Sequence, residues 1–289
     1  MSTSTRIPFW KLLLGRPLTA VSVVVLVAVA IIAVGANWLV PYGVNDVDVP
    51  NALQSPSGAH WFGTDELGRD VLSRVLVAIQ ASMQVAVVSV AFAVLVGVTI
   101  GVVAGYRGGW VDTVFMRVVD VMFAFPVLLL ALAIVAILGP GVTTTMLAIG
   151  VVYTPIFARV ARASALSVRV EPYVAVSRSM GTGHGYVITR HVLPNIMGPL
   201  LVQTSLSLAF AILSEAALSF LGLGIQPPAP SLGRMIFDSQ GFVTLAWWMA
   251  VFPGAAIFAI VLAFNLLGDG LRDVLDPKQR TLREAVRSA

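Results

Sequence analysis

Apolar residues are gathered into six long runs separated by shorter polar stretches. The runs cover about residues 18–39, 79–104, 118–138, 142–157, 200–221 and 245–267. An α-helix needs roughly 20 consecutive apolar residues to cross the hydrocarbon core of a bilayer, and most of the runs have that length. The pattern predicts an all-α, polytopic membrane bundle with six transmembrane helices.

Three of the runs carry residues that indicate how the helices contact each other. Gly97, Gly101 and Gly105 recur every four residues in the second run, which predicts a smooth face for close approach by another helix. Pro126 interrupts the third run, and membrane helices tolerate proline by kinking against neighbours. The short, polar fourth run, with Pro155, belongs inside the bundle and not against lipid.

Composition supports a membrane protein and excludes several classes of site. Hydrophobic residues make up 58% of the 289 positions and charged residues only 11%, against about 25% charged in soluble domains. The absence of cysteine excludes disulfides and thiolate metal sites, and three scattered histidines argue against a metal centre. A cleaved signal peptide is the alternative for the first run, which is too long for one.

Basic residues predict how the spans are oriented. Of the 18 Lys and Arg residues, 15 lie on the side of the bundle that contains both termini. The opposite side has Arg69, Arg74 and Arg234. Because basic residues are retained on the cytoplasmic side, both termini and the loop after the fourth run are expected in the cytoplasm. The net charge of +4 therefore reflects orientation, and nucleic-acid binding is disfavoured.

The loop after the fourth run predicts a short amphipathic helix. Pro172 suits a first helical turn and Gly181 suits a helix end. Tyr173, Val176 and Met180 recur at spacings of three and four, which places them near one face. So short a helix is not stable alone in water. We expect a partner protein to cover this face; the alternative is a plain connecting loop on the lipid surface.

A charged segment on the opposite side, residues 62–74, is the second candidate site. Asp65 and Glu66 are expected to open a helix, where acidic residues are favoured, with Arg69 and Arg74 pairing with acids at helical spacing. The residues of this segment that form the candidate site are Gly63, Thr64, Asp65, Gly68, Arg69 and Asp70. The alternative is a solvated amphipathic helix, and a paired-carboxylate hydrolase site lacks supporting residues.

Glu215 is the acid that lies well inside an apolar run. A charged carboxylate there costs about 2.5–3.5 kcal/mol even on the lenient insertion scale, so it must face a partner helix or a water-filled path, or be protonated. A pathway-lining role and a hydrogen bond to Ser214, Ser219 or backbone are both open. Asp120 is expected to pair locally with Arg117.

Separated blocks of sequence resemble one transporter family. Gly181 is followed by His191 and then Leu193-Pro194, as in the cytoplasmic loop of binding-protein-dependent ABC importer permeases. Residues 62–74, 214–224, 230–235, 247–254 and 265–277 resemble the C-type permease of dipeptide, oligopeptide and nickel importers. Ala175, His191 and Leu232 stand where that family usually has Glu, Ile and Trp.

The resemblance implies a type I ABC importer permease with defined parts. A core over residues 78–268 would follow an N-terminal unit of residues 1–77 and precede a cytoplasmic tail of residues 269–289. A coupling loop at about residues 167–197 would contact an ATPase through Tyr173, Val176, Arg178, Met180, Gly181, Leu193 and Pro194. Glu215 and Ser219 would lie on the pathway or in the bundle interior.

The resemblance also implies partners. No phosphate-binding G-x-x-x-x-G-K-[ST] sequence occurs, so ATP and magnesium are expected on two separate cytoplasmic ATPase subunits, and this chain is expected to be non-catalytic. A second, B-type permease, an extracytoplasmic solute-binding protein and the lipid of a prokaryotic cell membrane complete the expected surroundings. No residue is assigned to catalysis or metal binding.

Three other interpretations of function remain. Nickel or another small solute could replace short peptides as cargo. A stand-alone ion-coupled transporter is disfavoured because buried acids are few and no internal repeat is evident. An intramembrane enzyme would need a nucleophile and a base at similar depth, and none of the three histidines lies within a run.

Overall fold

The computed structural model describes residues 13–275, and in that part of the chain all regular structure is helical. The helices are α1 Pro17–Leu39, α2 Val71–Arg107, α3 Gly109–Phe123, α4 Val127–Leu138, α5 Val142–Arg169, α6 Pro172–Ser179, α7 His184–Val187, α8 Leu193–Phe220, α9 Leu232–Ser239 and α10 Trp248–Leu275. A 3₁₀ turn spans Val49–Asn51, and one isolated antiparallel bridge joins Thr64 and Asp70. The all-α prediction is confirmed. Residues 1–12 and 276–289, with basic residues Arg6, Lys11, Lys278, Arg280, Arg283 and Arg287, lie outside the described part.

Five helices of the described part are long and apolar enough to cross a membrane. They are α1, α2, α5, α10 and the continuous segment His184–Phe220 that contains α8. The sixth predicted span is the pair α3 and α4, which passes the same test only as one bent unit. The predicted number of six is therefore matched when this pair counts as one span.

The bend between α3 and α4 is sharper than a proline kink. The two helices meet at 89° across residues 124–126, where the pattern predicted one continuous run. Pro126 has no backbone N–H, and the residue before a proline is restricted away from helical geometry, so the helix ends instead of bending. The first half of the predicted span is a separate helix.

Two ion pairs hold α3 on α5. Arg162 donates to both carboxylate oxygens of Asp112, at 2.5 and 2.6 Å. Asp120 accepts from Arg159 at 2.7 Å, so the predicted local pair with Arg117 is wrong. A residue on another helix is closer than the sequence neighbour because α3 lies across the end of α5.

Close packing of α2 on α5 confirms the predicted glycine face. A Cβ atom at Gly97 would lie 2.5 Å from the carbonyl oxygen of Thr154, and one at Gly101 would lie 2.3 Å from that of Ala158. The two backbones are therefore near contact for three helical turns. Phe157 between them is fully buried.

The first helix is fastened to the rest of the bundle. Arg16 forms an ion pair with Asp273 near the end of α10. Thr19 is buried against Gly270 of α10. Gln80 of α2 donates to the carbonyl oxygen of Ala33 at 2.9 Å. The segment before α2 thus packs on two helices of the core, α2 and α10.

Candidate coupling and translocation site

The predicted amphipathic helix is present as α6. It begins at Pro172, directly after Glu171, and ends at Ser179. Val174 and Ser177 are buried against the bundle. Tyr173, Val176 and Met180 are 42%, 57% and 75% exposed. Arg178 is also exposed, on the opposite flank from the three apolar residues. The described part of the chain leaves this apolar stripe exposed.

Gly181 turns the chain after α6. Its φ of +76° is left-handed, and no atom of the chain lies within 4 Å of where a Cβ would be. Its N–H donates to the carbonyl of Arg178 at 3.0 Å, and Thr182 donates to that of Ser177 at 3.3 Å. Backbone conformation, and not space, therefore requires glycine at this position.

The segment after Gly181 runs into α8 without a break. A short helix, His184–Val187, passes into a π-helical turn, Ile188–Val192, and then into Leu193–Phe220. Pro194 does not end this segment, because it lies in the first turn of α8, a position that tolerates proline. Leu193 packs on the core and Pro194 is exposed. Because the helical backbone is uninterrupted, a displacement of the loop would be carried directly into α8.

In the charged segment at residues 62–74, residues 62–70 form a largely buried turn, and only residues 71–74 are helical. The Oδ1 atom of Asp65 accepts from the backbone N–H of Leu67 and of Arg69, both at 2.9 Å. Helix α2 begins only at Val71, with Asp70 capping it through the N–H of Ser73 at 2.8 Å. The expected helix at Asp65 and Glu66 is absent, and so is a solvated surface, since Asp65 is 4% exposed.

The predicted charge pairing is partly present within this turn. Arg69 donates to Asp65 at 2.6 Å and to Glu66 at 2.9 Å. Arg74 lies 3.6 Å from Asp65. Asp70 faces His60 Nδ1 at 2.9 Å instead of an arginine. The arginines therefore neutralise acids of their own segment.

Aromatic and backbone contacts hold the turn on the neighbouring helix α10. Trp248 donates from its indole N–H to the carbonyl of Thr64 at 3.0 Å, and Phe62 stacks on Phe252 with centroids 3.8 Å apart. Gly63 and Gly68 have φ of +74° and +77° with backbone oxygens pressed against them, so both need glycine.

Glu66 sits at the edge of the same cluster. Burial raises the pKa of its carboxyl above the ordinary 4.5, the Asp65 charge adds to the rise, and Arg69 opposes it. Its Oε2 atom has no hydrogen-bond partner in the described part of the chain. Asp238 of α9 lines the same small cavity. The cluster thus joins the turn to α9 as well as to α10.

Glu215 lies inside the bundle of this chain. Its side chain is fully buried and accepts from Ser82 at 2.6 Å and from Ser219 at 2.7 Å. Ser214 pairs instead with the hydroxyl of Tyr153, at 3.2 Å. This geometry agrees with the interpretation of Glu215 as an interior, hydrogen-bonded residue. Its second partner, Ser82, was not predicted from the sequence. No signal near Ser82 in the sequence marks it.

No metal site is formed by the residues that the structure describes. Within residues 13–275, no group of three or more His, Cys, Asp or Glu side chains is placed to hold an ion. The described residues form a helical bundle with an exposed amphipathic helix, α6, and with the carboxylate of Glu215 buried in its interior. These features together are those of a transport subunit, a membrane permease.

Comparison with known proteins identifies the class. Residues 97–281 match the family described as binding-protein-dependent transport system inner membrane component. This chain belongs to that family, and it is a multi-pass permease component of an ABC importer.

Relatives match nearly the full length. The chain is 42% identical over 272 residues to the dipeptide transport system permease protein DppC of Alkalihalophilus pseudofirmus, covering 94% of this chain and 90% of the relative. It is 43% identical over 267 residues to the probable D,D-dipeptide transport system permease protein DdpC of Escherichia coli, covering 92% and 90%. It is 40% identical over 274 residues to the glutathione transport system permease protein GsiD of Pectobacterium atrosepticum, covering 94% and 91%.

Solved structures support the fold. A chain of the inward-facing methionine ABC transporter MetNI superposes with a TM-score of 0.59 at 16% identity, covering 71% of this chain and 97% of that one. The type I importer permease fold predicted from sequence is confirmed.

Proposed function

We propose that this chain forms half of a translocation pathway for short peptides, with dipeptides or glutathione as the cargo class. The observation that carries the proposal is the similarity of more than 90% of the chain to permeases named for dipeptides and for glutathione. The core of residues 78–268 supplies the pathway, and a second, B-type permease supplies the other half.

The energy for transport comes from separate cytoplasmic ATPase subunits that bind ATP and magnesium. Helix α6 is the docking element, since its apolar residues Tyr173, Val176 and Met180 are left exposed by residues 13–275 and need a cover. Closure of the ATPases pulls α6, and the continuous segment from His184 through α8 carries the displacement into the membrane. Both termini and α6 lie in the cytoplasm in this arrangement.

The turn at residues 62–74 orders the face that receives cargo from an external solute-binding protein. Arg69 and Asp70 act by fixing the shape of the turn, Arg69 through Asp65 and Glu66, and Asp70 through His60 and the first turn of α2. Both side chains are largely buried and cannot themselves be a docking surface. Their role is therefore to shape the face.

Reconstitution tests the proposal. The chain is co-expressed with a neighbouring permease, ATPases and binding protein, and the purified complex is placed in proteoliposomes. We expect uptake of labelled dipeptide or glutathione that requires ATP and the binding protein, with nickel ions as the competing cargo. Uptake of nickel alone would show that the cargo is a metal ion and not a short peptide. Uptake by this chain without ATPases, driven by an ion gradient, would contradict the proposal.

A further inference from the structure

Tyr106 is a buried aromatic residue at the last turn of α2, and it contacts both halves of the loop that follows α5. It is 4% exposed, whereas the next residue, Arg107, is exposed. The guanidinium of Arg178 on α6 lies 5.9 Å from the centre of its ring. Its hydroxyl lies 3.2 Å from Nδ1 of His184, the first residue of α7. One side chain of α2 therefore contacts α6 and α7 across the Gly181 turn.

The His184 contact is geometrically specific. The two rings stand edge to face, with centroids 5.7 Å apart and planes at 73°, an arrangement that aromatic rings favour over face-to-face stacking. In this part of the loop, the buried apolar residues of the two short helices are Val174 of α6 and Val187 of α7. Tyr106 adds an aromatic and polar contact from α2 to both of these helices.

The end of helix α2 is in turn closely packed on α5. At Gly105, one residue before Tyr106, a Cβ atom would lie 2.8 Å from the carbonyl oxygen of Arg162. Displacement of the end of α2 must therefore carry α5 with it, because close-packed helices do not deform continuously. The loop has three connections to the membrane helices: the backbone from Arg169 back into α5, the backbone from His184 into α8, and the contact of Tyr106 with α6 and α7, which leads to α2.

We propose that Tyr106 is a positioning residue that transmits displacement of α6 to the α2–α5 pair. This inference rests on the proposed docking of an ATPase at α6. Without the tyrosine contact, the ATPase subunits still dock and hydrolyse ATP, but α6 is tied to α5 only by the two residues between them and can move without displacing the α2–α5 pair. Hydrolysis then continues with less transport.

The test measures peptide transported per ATP hydrolysed in the reconstituted full complex. Tyr106→Leu removes the ring and hydroxyl, and we expect the ratio to fall about fivefold or more, the usual range of coupling between sites, with ATPase subunits still co-purifying. Tyr106→Phe keeps the ring and loses the hydroxyl, so its ratio should lie between those of wild type and Tyr106→Leu. A general structural defect would lower transport and hydrolysis together and leave the ratio unchanged.

If Tyr106→Leu fails to fold, a double-mutant cycle of Tyr106 and His184 still tests the proposal. Tyr106→Phe and His184→Phe each remove the same hydroxyl–imidazole bond, so the double variant should lose no more than about 1.5-fold beyond the worse single variant. Additive losses, or a wild-type ratio in Tyr106→Leu, would overturn the proposal. Failure of the ATPases to co-purify with the unmodified chain would instead contradict the proposed docking itself.

Discussion

Ser82 on α2 donates a hydrogen bond of 2.6 Å to Oε2 of Glu215 on α8, across 133 residues of sequence. Ser219, one turn along α8, donates to Oε1 at 2.7 Å. The hydroxyl of Ser219 also accepts from the backbone N–H of Ile225 at 3.2 Å. Both carboxylate oxygens of a fully buried glutamate are thus satisfied, and α2, α8 and the loop after α8 are joined by one polar network.

Removing this network should weaken the bundle in a graded way. Ser82→Ala leaves one oxygen of Glu215 buried without its partner, which costs about 1–3 kcal/mol of unfolding free energy. Glu215→Leu leaves two serine hydroxyls unpaired and should cost more, whereas Glu215→Gln keeps one acceptor and one donor group and should fall between wild type and Leu. Thermal unfolding in detergent measures the order.

Thr99→Ala is the matched control for Ser82→Ala. Thr99 is on the same helix, is exposed, and bonds only to the carbonyl of Leu95 within its own helix, at 2.7 Å. It should leave the unfolding temperature within error of wild type. A Glu215→Leu protein with wild-type stability and full transport would show that the buried network has no structural role.

Local patterns predicted those elements whose residues contact their sequence neighbours or the lipid. Helix α1 and helix α6 were predicted correctly because a hydrophobic run and a proline-to-glycine interval are enough to define them. Partner choice between distant helices was not predictable: nothing near Glu215 indicates Ser82, and nothing near Asp120 favours Arg159 over Arg117. The tertiary fold decides which polar group is closest.

The turn at residues 62–74 was predicted as a helix for a different reason. Acids and bases three and four residues apart fit a helix face, but they also fit a compact turn in which Asp65 accepts backbone N–H groups. Gly63 and Gly68 flank the acids and carry positive φ, so the sequence did contain a turn signal that outweighs charge spacing.

Glu66 should make stability depend on pH. Burial raises the pKa of this carboxyl above 4.5 in the folded protein. Below pH 4.5 both states are protonated and nothing is lost; as pH rises toward the folded-state pKa, the unfolded chain ionises first and the folded state loses stability. Glu66→Gln cannot ionise, so its unfolding temperature should gain on that of wild type as pH rises from 4.5 to 7.5. Parallel curves for Glu66→Gln and wild type would mean that the carboxyl is not perturbed by its surroundings.

Gly101 should not tolerate a side chain. A Cβ atom would lie 2.3 Å from the carbonyl oxygen of Ala158 and 2.8 Å from the Cβ of Ala161. Backbone atoms cannot move aside as a flexible side chain can, so Gly101→Val should separate α2 from α5 at a cost of about 1–3 kcal/mol or more. Unfolding temperature and protease resistance of the purified protein measure the loss.

Gly254 of α10 offers the opposite case. No atom of the chain lies within 4 Å of a Cβ placed there, and alanine favours helix over glycine by about 0.8–1.0 kcal/mol. Gly254→Ala should therefore be neutral or stabilising within this chain. If Gly101→Val were equally well tolerated, the close approach of α2 to α5 would not be a structural requirement.

Substitutions at Gly181 test the effect of backbone conformation on the coupling loop without changing side-chain contacts. Its site is open, so a new side chain meets nothing, but its φ of +76° disfavours any β-branched residue. Gly181→Val should cost more than about 1 kcal/mol locally and re-aim α6, while Gly181→Asn, which adopts left-handed geometry far more readily, should retain coupling. The spans should insert normally in both variants, because the turn is outside them.

Charge on the exposed stripe of α6 tests docking without changing the turn. Val176 and Met180 are 57% and 75% exposed in this chain, so Val176→Asp with Met180→Asp should leave the isolated subunit folded. If an ATPase groove covers these residues, two buried carboxylates without partners should abolish transport and partner-stimulated ATP hydrolysis. Ser179→Asp, at an exposed position of α6 outside the apolar stripe, controls for charge alone and should retain most activity. With membrane levels matched by immunoblot, wild-type coupling in the double aspartate variant would reduce the loop to a connection between spans, since no groove could bury those charges unpaired and still close.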